Sequence, residues 1–344
     1  MTVPAAVIFG CAGPRLSDDE RAFFRDADPL GFILFARNVA TPAQVRALTA
    51  DLRDCVGRAD APVLVDQEGG RVARLKPPYW RVAPPAALFG ELHARDPDAA
   101  VEAARLNARL IAADLAPLGI DVDCAPVLDL SVDGAHGIIG NRAFAAAPYA
   151  VARLGRAQAE GLMSGGVIPV MKHVPGHGRA RADSHFELPV VEASRAELDA
   201  GDFAPFRALA DLPWAMTAHV LYRGLSGNQP ATTSEIVVRE VIRGHIGFDG
   251  LLITDDLSMR ALDGTHAERA RAALGAGCDV VLHCNGEMDQ MRDIAGVVPA
   301  LTPHAQAAVR RGDEQRRNAT DSADAETLEC LRRRLATLLD RPVA

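Results

Sequence analysis

Short apolar runs, each about the length of a strand, recur along the chain and are separated by longer stretches with helical spacing. The runs are Val3–Phe9, Gly31–Phe35, Pro62–Asp66, Ile120–Asp129, Val167–His173, Trp214–His219, Leu251–Asp255 and Asp279–His283. These short apolar, β-rich runs predict strands, and their alternation with helical stretches predicts a parallel sheet. Between them, Thr41–Val56, Asp98–Leu118, Ala150–Met163, Arg195–Ala210, Ser234–Ile246 and Thr265–Gly275 predict helices. Ser17-Asp-Asp-Glu20, Thr41-Pro42 and Ser194 with Glu197 read as helix starts, the last as a capping box. Gly57, Gly119 and Gly277 stand where helices should stop.

Eight strands in βα alternation predict an α/β fold, a (β/α)8 TIM-type barrel. It is expected to be a single catalytic domain over 1–344, with a charged helical tail from about residue 305. An open doubly wound sheet is the competitor. It would carry a Gly-rich phosphate loop after an early strand, and Gly10-Cys-Ala-Gly13 matches that poorly. In the barrel, reactive groups belong at the C-terminal ends of the strands. Those ends read Asp66, Asp129, Lys172-His173, His219, Asp255-Asp256 and His283. Any one could be a cap or turn residue, but their convergence on one rim predicts a polar pocket.

Composition narrows the function classes. The chain is 49% hydrophobic and 24% charged, as expected of a soluble globular protein. A net charge of −8 speaks against nucleic-acid or anionic-membrane partners. No apolar run approaches the ~20 residues of a membrane span. The N-terminus lacks the basic and apolar regions of a signal peptide, so a cytoplasmic location is expected. The six cysteines form no C-x-x-C pair and read as free thiols, several of them buried. The sequence does not determine an oligomeric state; a monomer is the expectation.

Three segments concentrate chemistry. In Met171-Lys-His-Val-Pro-Gly-His-Gly178, followed by Arg179-Ala-Arg-Ala-Asp-Ser-His185, a strand ends in a cation and an imidazole. A loop punctuated by Gly176 and Gly178 follows, able to move and close over a ligand. The Asp-x-His spacing lets Asp183 accept a hydrogen bond from His185 and fix its tautomer, as a general acid/base requires. A metal site is the rival reading of these histidines, but the spacings match no zinc motif. The second segment, Gly247 to Met259, ends a strand in Asp255 and Asp256, which alternation points to opposite sides. The third, Val63-Leu-Val-Asp-Gln-Glu-Gly-Gly-Arg-Val-Ala-Arg74, pairs Asp66 with Arg71 and Arg74, suiting a hydroxyl-rich ligand. Ile138-Ile-Gly-Asn-Arg142 is a weaker case of the same kind.

Lys172-His-x-Pro-Gly-His-Gly178, Asp183-Ser-His185, Asp66-Gln-Glu-Gly-Gly-Arg71 and Thr254-Asp-Asp-Leu-Ser-Met259 occur in an order and spacing that resemble the family 3 glycoside hydrolases. The likeness is to their single-domain bacterial β-N-acetylhexosaminidases, the NagZ type, and runs from about Val7 to His283. It implies retaining hydrolysis of terminal β-linked N-acetylglucosamine from peptidoglycan-derived muropeptides in cell-wall recycling. It makes Asp255 the nucleophile of a covalent glycosyl-enzyme and His185, paired with Asp183, the acid/base. Asp66, Arg74, Arg142, Lys172, His173 and His219 would bind the terminal sugar, and Asp129 would line the pocket. Lys172 and Arg142 would hold Asp255 ionised. No metal and no cofactor is implied, and the partner is a small carbohydrate. The chain departs from the common loop pattern at Val174, where phenylalanine is usual; a packing change is expected there. Rivals are a family 3 β-glucosidase, substrate-assisted hydrolysis steered by an Asp255-Asp256 pair, and a sugar-binding protein on the same scaffold.

Overall fold

A computed structural model describes residues 3–225, 227–321 and 323–340. Eight parallel strands close into a barrel, the eighth pairing with the first. In chain order they are Ala5–Gly10, Pro29–Leu34, Val63–Val65, Val122–Asp123, Ile168–Val174, Trp214–Thr217, Leu251–Asp256 and Val280–His283. Each falls within, or within two residues of, one predicted apolar run.

The alternation of the strands sorts their side chains into two cores. Ile8, Ile33, Leu64, Cys124, Val170, Met216, Ile253 and Leu282 fill the barrel interior. Their chain neighbours, among them Val7, Phe32, Val63, Met171, Ala215, Leu252 and Val281, face outward against the helices. Apolar residues are therefore needed at successive positions, which is why the strands read as unbroken apolar runs.

The caps follow local chemistry. Ser17, Thr41 and Ser194 each accept a hydrogen bond from the third residue of the helix that follows, and Ser17 and Ser194 complete capping boxes. Gly57, Gly119 and Gly277 end their helices at φ of 61°, 76° and 109°, which L-residues avoid. Four features depart from the sequence pattern. The fourth strand pairs only over Val122–Asp123. Arg195–Ala210 is two short helices, Arg195–Ala200 and Phe203–Ala208, broken at Gly201-Asp202. Val237–His245 is wound as a π-helix. The charged segment near the C-terminus is more than a surface helix. Within Pro303–Ala319, Ala305 and Ala308 seal the barrel floor, and Gly312 lets the backbone approach the Trp214 indole. The last helix, Ala325–Leu338, buries Leu335 and pairs Arg334 with Glu102 at 2.7 Å.

The six cysteines are free, four of them buried. Among the described residues no helix is long and apolar enough to cross a membrane.

Candidate active site

A cleft opens at the C-terminal ends of the strands. Into it come Asp66 from the third strand, Lys172 and His173 from the fifth and Asp255 from the seventh. Loops add Glu68, Arg74, Arg142, His177, Ser184 and His185. Ile33, Phe35, Met216, Met259 and Leu282 supply an apolar wall. Carboxylates, cations and apolar surface thus face one another, as a hydroxyl-rich ring with an apolar face requires.

The cations are held by a buried ionic network. Lys172 Nζ lies 2.8 Å from Asp66 Oδ1 and 2.7 Å from Glu68 Oε1. Arg74 closes on the second oxygen of Asp66 at 2.9 Å, and Arg142 grips both oxygens of Glu68 at 2.8 Å. Burial alone would raise the two carboxyls, yet the surrounding Lys172, Arg74 and Arg142 charges outweigh it and hold both below their ordinary values. For the same reason Lys172 is held above its ordinary value although burial opposes it. Two guanidiniums lie against the ring of Phe35, Arg37 at 5.2 Å and Arg74 at 5.0 Å from its centroid, a contact that helps steady Arg74 beside Asp66.

Asp255 is half-buried at the C-terminal end of the seventh strand, facing the cleft. Burial pushes its carboxyl up, but His173, His219, the Asp256 amide and Lys172 together bring it below its ordinary value, so it is ionised near neutral pH. Its Oδ1 accepts from the Asp256 N–H at 2.8 Å. The next carboxylate does different work. Asp256 accepts from Ser258 N at 3.0 Å, from the Ser258 hydroxyl and from Cys284 N at 3.1 Å, and so braces the loop.

Across the cleft, His185 presents a largely exposed imidazole whose Nδ1 lies 2.8 Å from Asp183 Oδ1. The same oxygen accepts the His185 N–H at 2.9 Å. Partial burial raises the Asp183 carboxyl, but these bonds and the His185 ring outweigh it and bring it below the usual carboxylate range. An ionised Asp183 can only accept, so Nδ1 carries the proton and Nε2 is left for the cleft.

Several predicted residues have other duties. Arg142 lines the cleft but is committed to Glu68, and the groups that lower the Asp255 carboxyl are His173, His219, the Asp256 N–H and Lys172, not Arg142. His219 stands behind the cleft wall, with Nδ1 2.7 Å from the Thr232 hydroxyl and Nε2 donating to Asp256 O at 3.0 Å. Asp129 is also behind the wall, holding His173 Nδ1 at 2.6 Å and accepting the His177 N–H at 2.6 Å. His283 is fully buried and lies 2.9 Å from Gln290. Gly176 and Gly178 are packed rather than loose. A Cβ on Gly178 would lie 2.2 Å from Leu130 O, and Tyr222 donates its hydroxyl to Gly176 O. Val174 is fully buried between sheet and helices, where its size bears on packing. Glu68 and His177 are the residues that sequence reasoning passed over as site members. Both lay inside quoted motifs, and the one signal available was an acid or imidazole next to glycine in a strand-end loop.

Residues 5–314 match the model of the glycosyl hydrolase family 3 N terminal domain. A beta-hexosaminidase of Bordetella avium is 41% identical over 314 residues, covering 90% of this chain and 88% of that protein. One from Alkalilimnicola ehrlichii is 42% identical over 283 residues, covering 81% of this chain and 80% of that protein. NagZ from Neisseria gonorrhoeae, crystallised with N-trifluoroacetyl-D-glucosamine, superposes with a TM-score of 0.84 at 33% identity and covers 98% of both chains.

Proposed function

The chain belongs to glycosyl hydrolase family 3 and is a glycoside hydrolase, and from that premise we propose that it removes terminal β-linked N-acetylglucosamine with retention, through a covalent glycosyl-enzyme on Asp255. The observation that carries the reading is the opposition, in one cleft, of a half-buried, ionised Asp255 and an exposed imidazole held by Asp183. The hexosaminidase names of the relatives, at about 40% identity over most of the chain, support the N-acetylated sugar.

In the first half-reaction an Asp255 oxygen attacks the anomeric carbon and the bond to the leaving oxygen breaks. His185, entering this step as the imidazolium with a proton on each ring nitrogen, delivers the Nε2 proton to that oxygen, so the aglycone departs as an alcohol and the ring is left neutral. In the second, water attacks the same carbon, His185 takes its proton, and Asp255 is released as a carboxylate; two inversions leave the β configuration. Asp66 and Glu68 accept from sugar hydroxyls, while Lys172, Arg74 and His173 donate. Arg142 acts by fixing Glu68, and His219 by supporting Asp255 from behind. The commitment of Asp256 to Ser258 and Cys284 weighs against a carboxylate pair steering the acetamido group. A muropeptide from peptidoglycan recycling is the substrate we assign. The free thiols, most of them buried, suit a reducing, cytoplasmic setting.

Trapping tests the mechanism. A slow 5-fluoro N-acetylglucosaminyl donor should leave one sugar mass on the peptide containing Asp255, with chelator present throughout. Continued turnover without any labelled residue would refute the covalent route and favour attack by the acetamido oxygen.

A further inference from the structure

The loop that bears His185 has a rigid root and a thinly tied tip. At the root, Asp129 holds the His173 ring and accepts the His177 N–H, Tyr222 bonds Gly176 O, and Arg179 pairs with Asp202 at 2.7 Å. His136 N adds a bond to Ala180 O at 2.8 Å near the root, while at the tip the backbone ties of Ser184 and His185 to the rest of the barrel, among the described residues, are two long bonds, Arg260 N to His185 O at 3.4 Å and Ala261 N to Ser184 O at 3.2 Å. Among the described residues one side-chain bond joins root to tip: His177 Nε2 lies 3.3 Å from the Ser184 hydroxyl. Both residues are buried in the cleft wall, and Ser184 directly precedes His185 in the chain. Among the described residues Ser184 is the only hydrogen-bond partner of the His177 ring, whose Nδ1 makes no bond.

We propose that His177 is a positioning residue that latches Ser184 and so sets where the adjacent His185 imidazole stands relative to the glycosidic oxygen. The proposal rests on His185 being the acid/base. Its physical basis is geometric. A general acid must come within hydrogen-bond reach of the oxygen it protonates, and errors of about 1 Å cost roughly 100-fold. The root is tied into the barrel wall that also carries Asp255, so the latch refers the acid to the same frame as the nucleophile. Burial, and then the neighbouring His173, push His177 down to about 4, so the ring is neutral at working pH. In either neutral tautomer the Ser184 hydroxyl can complement Nε2, as donor or as acceptor.

The test separates positioning from folding by leaving-group dependence. His177→Ala, Ser184→Ala and the double variant are assayed on N,N′-diacetylchitobiose and on 2,4-dinitrophenyl β-N-acetylglucosaminide, beside His185→Ala. The chitobiose leaving group needs a proton and the dinitrophenolate does not. Each latch variant should lose about 10–100-fold in kcat/KM on chitobiose and less than about threefold in kcat/KM on the activated substrate, because kcat/KM reports the first half-reaction, in which His185 acts as acid. The double variant should lose no more than either single one, and Ser184→Thr, which keeps the hydroxyl, should restore most of the rate. Equal losses on both substrates, or additive losses in the double variant, would overturn the latch. If His185→Ala itself shows no leaving-group dependence, the acid assignment fails and the latch fails with it.

Discussion

Replacing Lys172 by methionine tests the ionic network at its centre. The Lys172 side chain is 3% exposed and touches two carboxylates, Asp66 at 2.8 Å and Glu68 at 2.7 Å. Methionine fills much the same space, so the change removes charge more than volume. Arg74 and Arg142 remain, but each carboxylate loses one of its two cations in a largely buried site. Breaking a buried pair of this kind costs about 3–5 kcal/mol. At about 2.1 cal/mol/K per residue, 344 residues carry an unfolding entropy near 0.7 kcal/mol/K, so Tm should fall by about 4–7 °C at pH 7. The pH dependence has a definite sign. Asp66 and Glu68 are held below their ordinary values, so the stability they lend is present above the unfolded carboxylate range near 4 and fades as pH falls below it. The variant has less of that stability to lose. The gap between the two proteins should therefore be full at pH 7 and narrower at pH 3.5, read by urea denaturation at both. A Tm within about 1 °C of the parent at pH 7, or a gap of equal size at both pH values, would refute the network as described.

Two more expectations concern catalysis and packing. Asp255→Ala should abolish turnover of every substrate, whereas His185→Ala should lower kcat/KM on chitobiose by about 10²–10⁴-fold and leave much of kcat/KM on the dinitrophenyl substrate; equal losses in kcat/KM would mean that His185 is not the acid. Gly178→Ala should destabilise the loop root by about 1–3 kcal/mol, because its Cβ would lie 2.2 Å from Leu130 O, and a thermal melt would show it.

What the sequence determined by itself was set by near neighbours along the chain. Strands buried on both faces must be apolar throughout, so eight of them were legible as runs. Caps such as Ser17 with Glu20, and turns at Gly57, Gly119 and Gly277, act within a few residues and were legible too. The motif segments put Asp66, Lys172, His173, His185 and Asp255 on one rim because the barrel gathers strand ends there. The tertiary structure alone decided partners. Lys172 meets Asp66 across 106 residues and Arg142 meets Glu68 across 74, pairings that depend on how separate strands and loops come together in the closed barrel. Side-chain types and spacing could not reveal that Arg142 serves Glu68 rather than Asp255. Nor could they put His219 and Asp129 behind the cleft wall, or make the loop glycines sites of close packing instead of hinges. Such facts concern distances between parts of the chain that only folding brings together, and no local pattern encodes them.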